Sequence, residues 1–172
     1  KGSISIKERE VILKNVSGLV FVSKFLKEKF LEGINTKSSK LFVIPNSLDI
    51  NKNASLDKKK KRILFVGRLV NEKGVQIYVN AIKKIAKKFP DWEFLLIGNS
   101  GKRKKFFQKN NFETSIIKQF QDIGSNTKYL GFISNQKVLT IMEDSLILVV
   151  PSIWQEPFGL TAIEGLSNKM LV

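Results

Sequence analysis

The sequence predicts an α/β protein built on a doubly wound parallel sheet. Short apolar runs of strand length, such as Ile63 to Val66 and Leu146 to Val150, alternate with segments whose apolar residues recur at helical spacing. This alternation is typical of parallel strands covered by helices on both faces. With 172 residues, of which 42% are hydrophobic, the chain is long enough for one core, or for one domain and part of another.

The N-terminal part of the chain predicts a strand–helix–strand unit. Strands that are joined through a helix are normally parallel. Gly33 suits the C-terminal end of the helix, and Pro45 stops the second strand. The expected elements are a helix over 4–16, a strand over 19–23, a helix over 24–31 and a strand over 41–44.

Residues 46–61 are polar, rich in lysine and turn-forming, which is typical of a connection between domains. We therefore expect residues 1–50 to be the end of one domain, 51–61 a linker, and 62–172 most of a second domain. Because the chain stops at Val172 inside an expected strand, we interpret it as a piece of a longer protein.

The second domain continues the alternation of strands and helices. Its clearest helical signal is the apolar stripe from Val75 to Phe89, with lysines on the opposite face. Ser134 is placed to be the N-cap of a later helix. The expected elements are a strand over 63–66, a helix over 75–89, a strand over 93–97, one or two helices within 102–121, a strand over 128–130, a helix over 134–144, a strand over 146–150, a helix over 159–167 and a strand from about Met170.

The chain is strongly basic, with a net charge of +15, and two dense runs contribute, Lys58 to Arg62 and Lys102 to Lys105. A solvated surface is the favoured interpretation, and docking to an anionic membrane surface is an alternative. Nucleic acid is disfavoured because neither run interleaves aromatic residues and no DNA- or RNA-binding signature is present. The absence of cysteine and histidine excludes disulfides, thiolate metal sites and a histidine general base.

Two glutamates bracket the turn that follows the strand over 146–150. Glu156 is expected in the loop and Glu164 in the second turn of the next helix, with seven residues between them. Gly159 lets a ligand approach the backbone, and the N–H groups at the start of the helix are free to bind an anion. This setting suits a ligand that carries both phosphate and hydroxyl groups.

A second candidate motif follows the strand over 63–66. Gly67-Arg68 and Lys73 lie at that strand end, just before a helix, and could clamp a phosphate group. Alone this motif is weak, since two solvated cations in a loop are common in a basic chain. The predicted topology strengthens it, because ligands of such sheets bind outside the carboxyl ends of the strands.

Together the motifs resemble those of the retaining GT-B glycosyltransferases of family 4, the glycosyl transferases group 1. The resemblance runs from about Ser17 to Val172. Ser47 stands where the family has glycine, and Asn168-Lys169-Met170-Leu171 where it has Gly-Lys-Pro-Val. The matching motifs are Pro45 to Asp49, Gly67 to Gly74, Phe94 to Gly98, Leu130 to Ile133, Pro151-Ser152, and Glu156 to Glu164 with Pro157-Phe158-Gly159-Leu160 after its first glutamate.

The resemblance implies a Rossmann-like donor-binding domain preceded by the tail of a Rossmann-like acceptor domain. It also implies three catalytic residues, Glu156, Arg68 and Lys73. Of these, Arg68 and Lys73 would bind and stabilise the leaving diphosphate of a nucleotide sugar. Glu156 would hold the donor hexose, together with the backbone at Phe158, Gly159 and Leu160. Since the two cations act on the leaving group, no metal or other cofactor is implied.

The remaining implied substrate-binding residues surround the nucleotide. Glu164 would hold the ribose hydroxyls, Thr161 would support the phosphate from the helix start, and the backbone around Ile133 would touch the base. Gly67 belongs to the same set of substrate-binding residues, because it directly precedes Arg68 in the motif.

The implied function is transfer of a hexose, with retention, from a nucleotide diphosphate sugar to a glycan or lipid-linked acceptor. A UDP- or GDP-linked donor is expected, as is a role in bacterial cell-surface polysaccharide or glycolipid synthesis. The expected location is cytoplasmic or peripheral at the inner face of the cell membrane. Since the acceptor domain is represented only by its tail, transfer would require the full-length protein.

Other classes of function remain open from the residues alone. One is a non-catalytic module that binds nucleotide or phosphate, and another is a basic nucleic-acid-binding domain. A hydrolase that uses two carboxylates is a third, but it needs a general acid placed across a glycosidic bond, and the phosphate clamp argues against that. A carboxylate at the sugar position, Glu156, distinguishes a transferase from a simple nucleotide binder.

Overall fold

The computed structural model describes residues 4–36, 40–52, 54–101 and 111–172. These residues form two compact units. The first comprises Lys1–Ser47 with Glu156–Gly159, and the second comprises Leu48–Gln155 with Leu160–Val172. The basic run Lys102 to Lys105 and the first part of the predicted helical segment 102–121 lie outside the described residues.

The first unit is the predicted strand–helix–strand arrangement. Its two strands pair in parallel, with Leu19 opposite Leu41, and α2 packs on the first strand through Phe21 and Phe30, whose rings lie 5.3 Å apart. Ser5 caps α1, because its hydroxyl oxygen accepts a hydrogen bond from the Glu8 N–H. The elements are α1 (Ile6–Asn15), β1 (Leu19–Phe21), α2 (Lys24–Leu31) and β2 (Leu41–Val43).

The second unit contains a four-stranded parallel sheet with helices on both faces, which confirms the predicted fold class. The strand order is β5-β4-β3-β6, and Leu171 adds an isolated parallel bridge beside β6. Short 3₁₀ turns occupy Leu56–Lys58 and Asn71–Lys73. The elements are β3 (Lys60–Val66), α3 (Val75–Ile85), β4 (Glu93–Ile97), α4 (Asn111–Gln121), β5 (Thr127–Gly131), α5 (Asn135–Glu143), β6 (Ser145–Leu148) and α6 (Leu160–Ser167).

Each face of this sheet carries its own hydrophobic core. One core lies beneath α3 and α4 and includes Tyr78, Phe94 and Phe120, which are almost fully buried. The other lies beneath α5 and α6 and includes Leu64, Leu148 and Met142. Because both faces are covered, the strands read as continuous apolar runs in the sequence.

Some details differ from the sequence-based expectation. The helix predicted over 75–89 ends at Ile85, and the N–H groups of Lys88 and Phe89 both donate to the Ile85 carbonyl in a closing turn. This turn leaves Phe89 47% exposed although it continues the apolar stripe. Ser134 does occupy the N-cap of α5, but its side chain makes no capping hydrogen bond.

Candidate functional site

Three glycines stand at the carboxyl ends of three neighbouring strands, and we call Gly67, Gly98 and Gly131 the glycine edge. The N–H of Gly67 donates to the Ile97 carbonyl at 3.1 Å, and the N–H of Gly98 donates to the Gly131 carbonyl at 2.8 Å. Gly98 has φ 130°, and a Cβ placed on it would lie 1.9 Å from the Gly67 carbonyl oxygen. The glycine edge therefore presents bare backbone where ligands of parallel α/β sheets bind.

Arg68 follows the glycine edge and lines a cleft of about 510 Å³. The cleft is closed on one side by the loop after β4, since a Cβ placed on Gly101 would lie 3.4 Å from Arg68 Cδ. That loop is fastened to the Arg68 loop by a hydrogen bond from the Leu69 N–H to the Asn99 carbonyl at 2.9 Å. Besides Arg68, the cleft is lined by Val70, Asn71, Glu72, Ser100 and Gly101.

The guanidinium of Arg68 is available to a ligand. Among the residues that the structure describes, no carboxylate forms an ion pair with it. A planar guanidinium with its donors uncommitted suits bidentate recognition of phosphate oxygens. The cleft is therefore suited to an anion, and the phosphate clamp at Gly67-Arg68 stays a prediction.

The loop of Arg68 and Lys73 is joined to the segment after β6 through backbone atoms. The carbonyl of Glu72 accepts hydrogen bonds from the N–H groups of Ile153 (3.1 Å) and Trp154 (3.2 Å) and from the Ser152 hydroxyl (3.3 Å). Lys73 lies in the 3₁₀ turn beside this junction. The loop that carries Arg68 and Lys73 thus contacts the first residues after β6, the strand that neighbours β3 in the sheet.

Glu164 lies in a polar cavity of about 330 Å³ between α5 and α6. Burial raises the pKa of its carboxyl above the ordinary value, because the carboxylate loses water. This cavity has no lining residue in common with the Arg68 cleft. Its other lining residues are Leu48, Asp49, Asn51, Asn135, Gln136, Leu139, Thr140, Glu143, Ser167 and Asn168.

The end of α6 is tied to the segment that opens the second unit. The Asn51 N–H donates to the Ser167 hydroxyl at 3.0 Å, and the Asn51 side-chain amide donates to Asn168 Oδ1 at 2.8 Å. The Ser167 hydroxyl in turn donates to the Asp49 carbonyl at 3.2 Å. These contacts hold in place the helix that carries Glu164. The sequence analysis did not predict them.

Lys59 also has a structural role that the sequence analysis did not predict. Its ammonium donates to the carbonyls of Met142 (2.9 Å) and Asn168 (2.5 Å), which lie at the C-terminal ends of α5 and α6. Burial lowers the pKa of Lys59 from its ordinary value. A cation at two helix C-termini complements both dipoles, so Lys59 holds the two helices that enclose the Glu164 cavity.

The remaining predicted site residues are divided between the units. Glu156, Phe158 and Gly159 belong to the first unit. In the second unit, Leu160 and Thr161 open α6, and Ile133, between β5 and α5, packs against the core beneath α5. Their ligand-binding roles remain predictions.

Two further features bear on function. Across the described ranges, no three acidic residues come together in a way that could hold a metal ion. No helix among those same ranges has both the length and the apolar character needed to span a bilayer.

The doubly wound parallel sheet with its glycine edge matches solved glycosyltransferases of the GT-B type of α/β architecture. A glycosyltransferase structure from Rickettsia africae covers 100% of this chain with a TM-score of 0.76 and 23% identity, and the match covers 48% of that protein. The pneumococcal O-GlcNAc transferase GtfA, in complex with UDP and GlcNAc, matches 95% of this chain and 31% of its own, with a TM-score of 0.67 and 17% identity.

Sequence comparison identifies the family. The model of the glycosyl transferases group 1 matches residues 46–172, so the chain belongs to that family. A 42.6 kDa protein in the cps region of Klebsiella pneumoniae is 30% identical over 163 residues, which are 92% of this chain and 38% of the relative. The chain therefore spans less than half the length of this relative.

Proposed function

We propose that the full-length protein is a retaining glycosyltransferase that moves a hexose from a nucleotide diphosphate sugar to a glycan or lipid-linked acceptor. The observation that carries this proposal is the Arg68 cleft, an anion-binding cleft beside the glycine edge in a member of the group 1 family. The complex of pneumococcal GtfA with UDP and GlcNAc supports a UDP-linked donor. A GDP-linked donor is the alternative that the sequence resemblance leaves open.

In this proposal Arg68 and Lys73 act on the leaving group. As the bond between the anomeric carbon and the diphosphate oxygen breaks, its electron pair moves onto the diphosphate. Two cations fixed in a backbone-braced loop stabilise that growing charge without reorganising, which is electrostatic preorganisation. The acceptor hydroxyl oxygen forms the new bond to the anomeric carbon, and its proton passes to an oxygen of the departing diphosphate. In this proposal the two cations take the place of a metal ion.

The remaining residues recognise the donor. Glu164 would accept hydrogen bonds from the ribose hydroxyls, and Glu156 would do the same for the hexose. The backbone at Phe158, Gly159 and Leu160 would contact the sugar. Thr161 would support a phosphate, and the backbone around Ile133 would contact the base.

We further propose that the first unit is the tail of an acceptor domain that the full-length protein completes. The short length of the chain relative to its Klebsiella relative supports this assignment. We also propose a role in bacterial cell-surface polysaccharide or glycolipid synthesis. We propose a cytoplasmic location, with docking at the anionic inner face of the membrane as the alternative that the net charge of +15 supports.

The first test is binding of UDP, GDP, ADP and their sugar conjugates to the full-length protein by calorimetry. Arg68→Ala and Lys73→Ala should each weaken binding of the preferred nucleotide diphosphate by about tenfold or more, equivalent to at least about 1.4 kcal/mol. Lys84→Ala, an exposed lysine of α3, removes the same charge and should bind like the parent. Parent-like binding by both Arg68→Ala and Lys73→Ala would refute the clamp.

The second test concerns the reaction itself. The product formed from the preferred donor and a glycan acceptor should keep the anomeric configuration of the donor, which NMR of the product reads directly. Glu156→Ala should leave nucleotide binding intact while losing discrimination between donor sugars. Binding without any turnover across donors and acceptors would instead favour the non-catalytic module.

A further inference from the structure

Glu113 lies in the first turn of α4 and holds a residue of the Arg68 cleft. Its Oε1 accepts a hydrogen bond from the Ser100 N–H at 3.0 Å. Ser100 is buried and lines the cleft beside Arg68. A helix far from the motifs therefore reaches the cleft wall through one carboxylate.

The loop over 98–101, which forms this wall, is fixed by a different contact at each of its residues. The hydroxyl of Tyr129 donates to the Gly98 carbonyl at 3.1 Å. The Asn99 side chain accepts from the Gly101 N–H at 2.9 Å, and the Asn99 carbonyl accepts from the loop of Arg68. Glu113 supplies the contact to Ser100, through the Ser100 N–H.

The wall that Glu113 holds is also the surface on which Arg68 lies. A Cβ placed on Gly101 would be 3.4 Å from Arg68 Cδ and 3.9 Å from Cγ, so the aliphatic part of Arg68 lies beside this backbone with room for no more than a methyl group between them. A shift of Ser100 and Gly101 would change the direction of the guanidinium. Displacements of this kind at a binding group reduce affinity, since bidentate recognition depends on geometry.

We propose that Glu113 is a positioning residue for the diphosphate-binding cleft: by holding the Ser100 N–H, it fixes the wall that orients Arg68. The inference rests on the proposed function, because it concerns the same cleft. The carboxylate acts through the backbone and leaves the guanidinium of Arg68 to the phosphate oxygens. It forms no bond to the substrate and is not a catalytic residue.

The chain offers a matched set of variants for testing this role. Glu113→Gln keeps a side-chain carbonyl that can accept from the Ser100 N–H, whereas Glu113→Ala removes the acceptor. Asp122→Ala removes a carboxylate from the exposed turn just after α4 and serves as the charge control. All variants are made in the full-length protein.

The first measurement is amide hydrogen exchange at Ser100 and Gly101, which requires no ligand. Glu113→Ala should accelerate exchange at these amides by about tenfold or more, which corresponds to a hydrogen bond of ordinary strength. Glu113→Gln and Asp122→Ala should exchange at the parental rate. Unchanged exchange in Glu113→Ala would overturn the proposal.

The second measurement is the Kd for the nucleoside diphosphate that the parent prefers. Glu113→Ala should raise it about five- to tenfold, while Glu113→Gln and Asp122→Ala stay within about twofold of the parent. A merely structural role would lower the melting temperature and leave the Kd of the folded protein unchanged, which overturns the proposal. Weakening by Glu113→Gln as large as by Glu113→Ala would also overturn it, since the charge would then matter rather than the bond.

The two hypotheses fail in different ways. If the parent binds no nucleotide, the proposed function is wrong and the role of Glu113 in diphosphate binding is wrong with it. If the parent binds and Arg68→Ala does not, while Glu113→Ala binds normally, the proposed function stands and only the role of Glu113 is wrong.

Discussion

Gly74 faces the carbonyl oxygen of Pro151 so closely that a Cβ added to Gly74 would lie 1.8 Å from that oxygen. Gly74 also has φ 67°, in the left-handed region. The neighbouring carbonyl of Glu72 accepts from two backbone N–H groups of the segment after β6. The junction between the Arg68 loop and that segment is therefore made largely of backbone atoms, and only glycine fits at its centre.

Gly74→Ala should consequently destabilise the second unit by at least about 2 kcal/mol, through the left-handed backbone and the collision with Pro151. Urea unfolding of the parent and the variant measures the loss. Gly124→Ala is the control, because its nearest neighbour would be a side-chain oxygen of Asn126 at 3.4 Å and its φ is not positive. Equal losses in the two variants would contradict this account.

Glu164→Gln should weaken nucleotide binding yet leave the fold as stable as the parent or more so. Burial raises the pKa of Glu164, so the folded state binds this proton more tightly than the unfolded state does. The parent therefore loses stability as the pH rises from the unfolded pKa through the folded pKa, and the glutamine variant lacks that loss. Melting curves from about pH 4 to about pH 7 should show the difference, variant minus parent, growing with pH.

Lys59→Met should destabilise the protein by about 1–3 kcal/mol, because the carbonyls of Met142 and Asn168 lose a partly buried donor. Lys58→Met changes the same charge one residue earlier at an exposed position and should have little effect. Denaturant midpoints of the two variants provide the comparison. Equal midpoints would mean that Lys59, like the rest of the run Lys58 to Arg62, is a solvated surface residue that adds nothing to stability.

Tyr78→Phe should change how steeply the stability of the protein falls at alkaline pH. The hydroxyl lies within hydrogen-bonding distance of the carbonyls of Ile63 (3.1 Å) and Leu95 (2.9 Å), and burial raises the pKa of Tyr78 far above its ordinary value. Since the unfolded chain ionises at about pH 10 and the folded chain does not, the parent should lose stability above that pH.

Tyr78→Phe removes the ionisable hydroxyl and with it this alkaline loss of stability. At neutral pH the variant should be about 1–2 kcal/mol less stable than the parent, because the hydrogen bond to the carbonyls is lost. Thermal unfolding between about pH 8 and about pH 11 would show a shallower decline for the variant. If the melting temperatures of parent and variant decline equally with pH, Tyr78 is not the source of the alkaline sensitivity.

Features that a short stretch of sequence encodes were predictable. The stripe from Val75 to Ile82 buries its apolar face as expected, and α2 has the expected bounds. Arg68 was found because its motif follows a strand end, where parallel sheets bind ligands. In each case local pattern and topology point to the same structure.

Features that depend on distant contacts were not predictable. Lys59 sits in a run of lysines and was interpreted as solvated, although it turns inward to two helix ends. Glu113 looks like any acid near the start of a helix, and only the packing of α4 brings it to Ser100. Neither side chain carries a local signal, since its partners are supplied by tertiary structure.

The contact between Gly98 and the carbonyl of Gly67 has a consequence for evolution and for engineering. Together with the contact between Gly74 and Pro151, it restricts two positions near the strand ends to glycine, because a side chain at either position would collide with main-chain atoms. Diversification of ligand choice on this scaffold must proceed through neighbours that can vary, such as Ser100 and Ile133. A library meant to alter donor preference should therefore randomise those neighbours and keep the glycines invariant.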